Sequence, residues 1–428
     1  MIKVHIITTG EEVLHGELVD TNAAWLSAQV TQLGAHPVAR FTVGDQLSAL
    51  VERFRVSANQ AEIVLVNGGL GPTSDDLTAE AAARAFDLPL VHRTEWEVKM
   101  REKFASRGRE MPESNLKQCL LPEACDLLDN PIGTACGFAL NHGNTRFYFS
   151  PGVPREMERM FSEQIAPDLV QRFGLANNRV MRRLHTFGVS EARMGERLTA
   201  VNTDHLVELG YRAHFPTLEI KIWSDAPDAQ SRVETFLQRV PDDLMQNVIF
   251  RDQEQLNQWL LNQLQARKFR LACAESCSGG LLFGDFVAVP GSSTVMEEGF
   301  VTYSNAAKTR TLGVSEETLE RHGAVSLQVA LDMARGAVQV SGASHALSIT
   351  GIAGPDGGTP EKPVGTIAFG LATPAGDYAQ MLEIINLGRH KLRAASVVIA
   401  QDMLRRHLLG QSVFGAFDLA KRRGLVEP

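Results

Sequence analysis

Apolar positions in the first 150 residues alternate between short continuous runs and stretches with helical spacing. The runs Ile2–Thr9, Pro37–Val43 and Glu62–Val66 have the length of buried strands, and the first of them ends at a glycine. Between the first two runs, Thr21–Leu33 carries apolar residues every three or four positions, as a helix packed on one face does. Strand, helix and strand in this order predict right-handed crossovers and a mainly parallel sheet, hence an α/β fold.

Two further elements complete this first region, which we place at residues 1–174. Thr145–Ser150 is predicted to be another strand, and a helix is expected to begin near Arg155. Asp45 precedes a helical pattern and belongs to the residue types that cap helix N-termini, so we expect it to cap the helix that follows.

The pattern changes character twice in the rest of the chain. Residues 175–250 show a pair of strands with alternating exposure and an amphipathic helix, which predict a small connecting α+β domain. Residues 251–410 begin with an amphipathic helix, followed by the strand Arg270–Ala274, the helix Leu281–Val287 and further strands. This order predicts a second α/β domain, again with a mainly parallel sheet. Residues 411–428 are expected to form a loosely held C-terminal tail.

Length, composition and charge exclude several classes of protein. A chain of 428 residues has room for roughly three domains of about 150 residues. Its 42 Lys and Arg against 50 Asp and Glu give a net charge of −8, which argues against direct nucleic-acid binding. No apolar run approaches the roughly 18 residues that span a bilayer, and the start of the chain lacks the apolar core of a signal peptide. We therefore expect a cytoplasmic protein that does not engage membranes.

A glycine-rich loop follows the apolar run Glu62–Val66 and opens a helix, with the sequence GGLGPTSDDLTAEA. Its glycines allow the backbone to approach an anion closely, and a helix N-terminus supplies free N–H groups. Asp75 and Asp76 would repel a bare phosphate, but a hard cation can bridge carboxylate and phosphate, so we predict both as metal ligands. The structural alternative is a tight turn with an acidic first helical turn.

A second glycine turn, PGVPREM at Pro151–Met157, ends another predicted strand and offers Glu156 as a third carboxylate. Near the start of the chain, Glu12, Asp20 and Asn22 follow the first strand. In a parallel sheet these loops share one edge, where ligands bind in open α/β folds. Helix caps and solvated first turns explain the same residues equally well.

In the second α/β region, the segment AESCSGG lies between a predicted strand and a predicted helix. A serine on such a turn has its hydroxyl at a helix N-terminus, where backbone N–H groups can stabilise an oxyanion. Ser276 and Ser278 are both candidates, and either could instead simply cap the helix. Cys277 lies between them without a histidine nearby in the sequence, so we interpret it as a packing residue.

Two later segments offer further polar groups. Lys308 falls where a strand gives way to a helix, and it can act as a base only if burial or nearby cations lower its pKa. Otherwise it is a solvated surface charge. The segment TGIAGPDGGTPEKPVG places several glycines between two buried strands, and such a backbone can wrap a phosphate-bearing ligand.

In the N-terminal region, four motifs resemble the competence-damage-inducible CinA family, namely TTGEEVLHGELVDTN, NGGLGPTSDDLTAEA, LLDNPIGTACGF and PGVPREM. This half of the family is similar to molybdopterin-binding domains. The resemblance implies an ADP-ribose pyrophosphatase that needs a divalent metal (Mg, Co or Mn). The substrate-binding residues it implies are Glu12, Asn22, Gly68, Gly69, Gly71, Thr73, Pro151, Gly152 and Glu156. The alternative is a non-catalytic module that binds molybdopterin or a nucleotide.

Residues 251–410 resemble the PncC family of nicotinamide mononucleotide amidohydrolases, the usual C-terminal partner of the CinA half. The motifs that carry the resemblance are AESCSGG, PGSS, YSNAAK, HGAVS, TGIAGPDGG, KPVGT and GRHKLR. The resemblance implies Ser276 as nucleophile and Lys308 as its base, without a cofactor, and Tyr303 as a further catalytic residue. The substrate-binding residues it implies are Ser278, Gly279, Thr350, Gly351, Gly354 and Arg393.

Together these resemblances imply a bifunctional, homodimeric enzyme of pyridine-nucleotide salvage. One domain would convert nicotinamide mononucleotide to nicotinate mononucleotide and ammonia, and the other would split ADP-ribose into AMP and ribose 5-phosphate. A third interpretation, an accessory of recombination or competence, has to contend with the acidic net charge and the absence of a basic aromatic stripe.

Overall fold

The computed structural model describes residues 2–252 and 254–428, which divide into two compact units, one up to Arg179 and one from Val180. The fold class is α/β, as predicted.

The elements of the first unit are β1 (Lys3–Thr9), α1 (Glu11–Leu14), α2 (Thr21–Gln32), β2 (His36–Val43), α3 (Leu47–Ala58), β3 (Ile63–Asn67), α4 (Thr78–Ala85), β4 (Leu90–His92), α5 (Thr94–Ser106), a 3₁₀ helix (Glu113–Cys119), β5 (Leu120–Pro122), β6 (Asp126–Leu128), β7 (Gly137–His142), β8 (Thr145–Ser150), α6 (Pro154–Met160), a π-helical turn (Phe161–Ile165) and α7 (Ala166–Phe173).

The main sheet of the first unit has the strand order β2-β1-β3-β8-β7-β6. The first four strands are parallel, while β7 and β6 add antiparallel pairs at one side. Every residue of β3 and of β8 is buried, because apolar clusters cover the sheet on both faces. The carboxyl ends of β2, β1, β3 and β8 therefore share one edge of a rigid sheet.

The second unit combines the connecting segment and the C-terminal domain. Its elements are β9 (Val180–Phe187), α8 (Glu191–Val201), β10 (Glu208–His214), β11 (Thr217–Ser224), α9 (Ala229–Arg239), α10 (Asp242–Met245), β12 (Val248–Arg251), α11 (Leu256–Ala266), β13 (Leu271–Glu275), α12 (Leu281–Val287), a 3₁₀ turn (Ser292–Thr294), β14 (Met296–Val301), α13 (Asn305–Leu312), α14 (Glu316–His322), α15 (Leu327–Ser341), β15 (His345–Gly351), β16 (Thr366–Thr373), β17 (Gly376–Ile384), α16 (Arg389–Leu408) and β18 (Ala420–Val426).

The connecting segment forms an antiparallel sheet with the order β10-β11-β9-β12, which α8 and α9 cover on one face. A buried ion cluster ties it to the C-terminal domain. Asp402 pairs with both Arg405 and Arg406 on α16, and both guanidinium groups donate to the Gln246 carbonyl oxygen, at 2.9 and 3.1 Å. Removing one partner from such a cluster leaves a buried charge unpaired, which is costly.

The sheet of the C-terminal domain has the order β14-β13-β15-β16-β17-β18 and is mixed rather than mainly parallel. Only β14, β13 and β15 run parallel, and the other pairs are antiparallel. The expected loose tail is wrong for much of 411–428, because Ala420–Val426 pairs with β17 as the edge strand. In the described part of the chain, no helix has the length and apolar character needed to cross a membrane.

Candidate active sites

Three loops of the C-terminal domain meet because the strands before them are parallel. The turn after β13 carries Ser276, the loop after β14 leads into α13 with Lys308, and β15 ends with Thr350 and Gly351. The carboxyl ends of adjacent parallel strands lie at the same edge, which is where α/β sheets bind ligands. These residues lie far apart in the sequence, and the order of the strands in the sheet explains why they come together.

Ser276 and Lys308 form a direct contact at this edge. The Lys308 amine lies 3.0 Å from the Ser276 hydroxyl oxygen, 2.9 Å from the Thr302 carbonyl oxygen and 3.5 Å from that of Tyr303. Lys308 is 1% exposed and Ser276 is 8% exposed. A neutral amine has two hydrogens and one lone pair. If the two carbonyl groups accept the hydrogens, the lone pair is left for the serine hydroxyl.

Burial lowers the pKa of Lys308 from its usual value, because the lost hydration outweighs the opposing effect of Cys277. In the described parts of the chain, no carboxylate contributes to this shift. The surroundings instead offer neutral carbonyl groups and a serine. These are the conditions under which a lysine can accept a proton near neutral pH, and they contradict the alternative of a solvated surface charge.

Glu275 fixes the turn that presents Ser276. It lies in the AESCSGG motif, but we did not single it out from the sequence. Glu275 is buried, and its carboxylate accepts backbone N–H bonds from Gly280, Leu282 and Phe283 at 2.8–3.1 Å. It thereby satisfies the free N–H groups at the start of α12. Gly279 and Gly280 have φ angles of +61° and +90°, which only glycine adopts at low cost. The helix N-terminus is thus occupied by Glu275 rather than by either serine.

The two neighbours of Ser276 in the motif have different surroundings. Ser278 is fully buried, its hydroxyl has no hydrogen-bond partner among the described residues, and its carbonyl oxygen accepts a 2.7 Å bond from Arg393. Burial raises the pKa of Cys277 to about 12, so its thiol stays protonated. Of the three, only Ser276 has the lysine beside its reactive atom.

The phenol of Tyr303 lies apart from the Ser276–Lys308 pair. The residue is 65% exposed, and its hydroxyl lies 3.4 Å from a guanidinium nitrogen of Arg389. Only its backbone carbonyl approaches Lys308. Arg389 also donates to the Gly354 carbonyl oxygen at 2.8 Å, and Arg393 has a buried Nε without a partner among the described residues. The first turns of α16 therefore bring two cations to the loops.

The remaining predicted residues of this site shape the loops. The Thr350 hydroxyl donates to the Ala324 carbonyl oxygen at 2.9 Å and is buried. A Cβ on Gly351 would meet Ile367 at 2.7 Å, so the strand needs glycine there. Lys362, in the same glycine-rich segment, donates to two backbone carbonyl oxygens, at His322 and Val325, and so pins the loop. Thr350 and Gly351 thus support the site, while Gly354 receives Arg389.

The first unit carries a cavity of about 380 Å³ at the corresponding edge of its sheet. Nearly all of the predicted N-terminal site residues line it, and it also includes residues that we did not predict. The predicted lining residues are Glu12, Gly68, Gly69, Gly71, Asp75, Asp76, Pro151, Gly152 and Glu156. The lining residues that we missed include Thr9, Asp45, Gln118 and Thr134.

Asp45 does not cap α3, because its carboxylate accepts the Glu11 backbone N–H at 3.2 Å. In return, the Asp45 backbone N–H donates to the Glu11 carboxylate at 3.1 Å. Partial burial raises the pKa of Asp45, and the negative charges of Asp75 and Glu12 raise it further. Carboxylates at the mouth of this cavity therefore repel one another.

Asp75 and Asp76, predicted as metal ligands, differ in their contacts. The Asp76 carboxylate accepts the Thr73 backbone N–H at 2.9 Å and also its hydroxyl, so it closes the glycine-rich turn. Asp75 is exposed at the cavity. Among residues 2–252 and 254–428, no group of three or more His, Cys, Asp or Glu is arranged to hold a metal ion. Metal binding by these two residues stays a prediction.

Two amides hold the turn after β8. Asn22 donates to the Asn67 side-chain oxygen at 2.8 Å and to the Gly152 carbonyl oxygen at 2.7 Å. Asn67 in turn donates to the Pro151 carbonyl oxygen at 2.6 Å. Asn22 thus positions the loop rather than lining the cavity. Asp20 caps α2, as its structural alternative proposed.

Glu156 lines the cavity and is held by Asn130, which the sequence reasoning missed. Asn130 is fully buried, donates to the Glu156 carboxylate and to the Ala135 carbonyl oxygen at 2.7 Å, and accepts two backbone N–H bonds. The motif LLDNPIGTACGF contains it. A buried amide with all of these bonds is a turn organiser, and it aims Glu156 at the cavity.

Two family models match the chain. The model described as "Probable molybdopterin binding domain" matches residues 5–171, and the model described as "CinA C-terminal domain" matches residues 253–408. The chain is 44% identical over 415 residues to the CinA-like protein of Shewanella woodyi, which covers 96% of this chain and 97% of that protein.

Two solved structures show partial similarity. The competence/damage inducible protein CihA from Agrobacterium tumefaciens is 41% identical, with a TM-score of 0.35, and the match covers 36% of this chain and 93% of that chain. The molybdopterin biosynthesis enzyme MoaB from Thermus thermophilus is 21% identical, with a TM-score of 0.28, and the match covers 40% and 93%.

Proposed function

Because the chain belongs to the CinA family, we propose that its C-terminal domain hydrolyses the carboxamide of nicotinamide mononucleotide to give nicotinate mononucleotide and ammonia. The observation that carries this proposal is the 3.0 Å contact between the Ser276 hydroxyl and the buried Lys308 amine, whose pKa is lowered. Hydrolysis of an amide needs an activated nucleophile, donors for an oxyanion and a proton for the departing amine.

In the first half of the proposed reaction, neutral Lys308 takes the hydroxyl proton while the Ser276 oxygen attacks the carboxamide carbon. Of the backbone N–H groups in the turn after β13, those that Glu275 does not accept stabilise the oxyanion that forms. The lysine then gives its proton to the amide nitrogen, the C–N bond breaks, and ammonia leaves behind an ester on Ser276.

In the second half, water attacks the ester carbon and Lys308 again accepts the proton. The ester bond breaks, the serine oxygen regains its proton, and nicotinate mononucleotide is released. One lysine serves as base and acid in both halves, so the scheme uses no third residue.

For the substrate phosphate, we propose the two arginines at the start of α16. Arg393 has an unpartnered buried Nε, and Arg389 connects Gly354 to the Tyr303 hydroxyl. Guanidinium groups bind phosphate with two parallel hydrogen bonds. On this arrangement, Tyr303 contacts the bound nucleotide. Gly279 leaves room for Arg393, because a Cβ atom on residue 279 would lie only 3.3 Å from the Arg393 guanidinium.

Product analysis of the purified full chain tests both halves of the molecule. We expect ammonia and nicotinate mononucleotide from nicotinamide mononucleotide, with the same rate in the presence and absence of EDTA. A chain that releases no ammonia from this substrate, while a nucleotide hydrolysis at the N-terminal site proceeds, would contradict the proposal.

For the N-terminal domain, the proposal is hydrolysis of ADP-ribose to AMP and ribose 5-phosphate with a divalent metal (Mg, Co or Mn). Carboxylate oxygens suit a hard ion, and the repulsion between Asp45 and Asp75 at this cavity would fall if one bound. Asp75 and Asp76 remain the ligands that we propose first. The metal would polarise the pyrophosphate and neutralise its charge.

The same cavity also suits a binding module without catalysis, for molybdopterin or a nucleotide. The two options differ in one measurement, since only an enzyme converts ADP-ribose to AMP in the presence of added Mg²⁺, Co²⁺ or Mn²⁺. Binding of ADP-ribose without turnover under all three conditions would favour the binding module.

A further inference from the structure

A cleft of about 620 Å³ in the second unit shares no lining residue with the site around Ser276. The antiparallel sheet β10-β11-β9-β12 contributes one side of its lining, and Asp285 of α12 and Gln401 of α16 contribute from the C-terminal domain. This volume lies in the range of about 300–1,000 Å³ that small-ligand sites occupy.

The sheet contributes a row of four residues to this cleft, one from each strand. Arg212 pairs with Glu219, Glu219 with His185, and His185 with Phe250 in the strand registers. Residues that pair across strands point to the same face of a sheet. The apolar residues of the alternate positions face α8 and α9 instead. The second face therefore carries charged and aromatic groups, of which Phe250 also packs against the core of the C-terminal domain.

One cation of the cleft lacks a counter-charge. The Arg183 guanidinium lies 3.2 Å from the Glu219 carboxylate, so these two charges compensate each other. The Arg212 guanidinium has no ion pair or hydrogen bond within the described ranges 2–252 and 254–428. His214 lies two residues further along β10, on the same face. A free guanidinium beside an imidazole is suited to a phosphate group.

The neighbouring strands supply an aromatic surface. The His185 ring stacks on Phe250, with centroids 4.1 Å apart and an angle of 16° between the planes. Burial lowers the pKa of His185, so the ring is neutral at neutral pH. A neutral aromatic pair on an open sheet face is a surface on which a planar base can stack.

Carboxylates complete the lining. Asp285 accepts a 2.6 Å hydrogen bond from Gln401, and Asp252 accepts the Arg183 backbone N–H at 3.0 Å. Both residues line the cleft and keep further lone pairs. Carboxylates are the groups that bind the vicinal hydroxyls of a ribose in nucleotide sites.

We propose that this cleft binds a nucleoside monophosphate. The base stacks against the His185 and Phe250 pair, the sugar hydroxyls bind the carboxylates, and the phosphate binds Arg212 with His214. The proposal stands independently of the two proposed activities, because it needs neither Ser276 nor the N-terminal carboxylates.

Isothermal titration of the full chain tests the proposal, with AMP as the probe and with adenosine and inorganic phosphate as its two parts. We expect AMP to bind roughly tenfold or more tightly than either part, because the charge-assisted bonds add to stacking. Arg212→Ala should weaken AMP by roughly tenfold and leave adenosine unchanged. Phe250→Leu should weaken both ligands. The matched control is Arg232→Ala, which removes a half-buried arginine of α9 that pairs with Asp228 outside the cleft.

Binding at the N-terminal cavity is separated by Asp75→Asn, which should leave the Arg212-sensitive binding in place. Thermal unfolding of each variant checks that it folds. No AMP binding at millimolar concentration, or AMP binding that survives both Arg212→Ala and Phe250→Leu in folded protein, overturns the proposal. Equal weakening by Arg232→Ala would overturn it as well, since a general loss of positive charge would then explain the effect.

Discussion

Both candidate sites of this molecule lie where parallel strands of a sheet end. They differ in charge, because one holds a buried lysine among neutral groups and the other holds several carboxylates. At the C-terminal edge, the buried Lys308 amine is surrounded by neutral groups, since it contacts the Ser276 hydroxyl and two carbonyl groups inside the protein. At the N-terminal edge, Asp45 and Asp75 line an open cavity and their charges repel. The reactive groups that we propose at the first site already contact each other, whereas a cation at the second site would reduce the repulsion that Asp75 exerts on Asp45.

This difference follows from which carboxylate accepts the backbone N–H groups of each loop. In the C-terminal domain, Glu275 occupies the helix N-terminus, and burial makes a neutral lysine favourable. In the N-terminal domain, Asp76 closes the glycine turn and leaves Asp75 at the surface. Experiments that remove one group from each edge should therefore give different signatures.

The largest expected effect is that of Ser276→Ala on ammonia release from nicotinamide mononucleotide. Loss of the nucleophile should lower kcat by about 10³-fold or more, and ADP-ribose cleavage should persist. Ammonia and AMP are measured in the same preparation. The matched control is Ser341→Ala, which removes a helical hydroxyl bonded to the Ala337 carbonyl oxygen and should leave both rates unchanged.

Ser278→Ala provides the opposing outcome. If this variant lost deamidation while Ser276→Ala kept it, the assignment of the nucleophile, and with it the contrast between the two edges, would be wrong.

Lys308→Arg should lower kcat by roughly 10²–10⁴-fold with little change in KM, since arginine keeps the charge but cannot give up its proton. In the wild type, the rate should rise with pH through the pKa of Lys308, because the base acts in its neutral form. That limb should lie below the usual value of about 10.5 because burial lowers the pKa. If Lys308→Arg kept the wild-type kcat and only raised KM, Lys308 would be a phosphate-binding residue and not the base.

Much of this contrast could be predicted from the sequence, because it depends on local patterns. Apolar runs followed by glycine turns predict the parallel strands and the glycine loop at 68–71, and the resemblance to the PncC family singles out Ser276 and Lys308, which the structure places in contact. Asp45 was misjudged because its true partner, Glu11, lies 34 residues away and nothing local marks the pair. The tail strand was missed because Lys421, Arg422 and Arg423 resemble a solvated segment, although charges are common on exposed edge strands.

Removal of metal should affect only the N-terminal edge. EDTA should suppress ADP-ribose cleavage and leave deamidation unchanged. Asp75→Asn should lower the N-terminal activity by about 10–100-fold and weaken its response to added Mg²⁺. Glu80→Gln is the matched control, because Glu80 lies on α4 and pairs with Arg84 outside the 380 Å³ cavity. Deamidation that stopped on chelation and returned with Mg²⁺ or Zn²⁺ would contradict the metal-free interpretation of the C-terminal edge.

The smallest effect concerns stability. Lys308→Met replaces a buried amine by an apolar chain of similar length, and we expect the Tm to rise by about 2–4 °C at pH 7, which is the usual consequence of roughly 1 kcal/mol in a unit of this size. The folded-state pKa is lowered, so the unfolded chain binds more protons between the two pKa values, and wild-type stability rises with pH across that window. Thermal unfolding should show the difference in Tm between Lys308→Met and the wild type narrowing as the pH rises through that window. A gap that widened over this range would contradict a lowered pKa.

The most direct test of the central claim is to trap the covalent intermediate. Wild-type protein is mixed with nicotinamide mononucleotide, quenched with acid during the first turnover, and digested, and the peptide Leu271–Lys308 is fragmented in a mass spectrometer. The proposed chemistry predicts an added nicotinate mononucleotide acyl group on Ser276, absent in Ser276→Ala. An acyl group on Ser278 or Cys277, or product formation by Ser276→Ala at the wild-type rate, would contradict it.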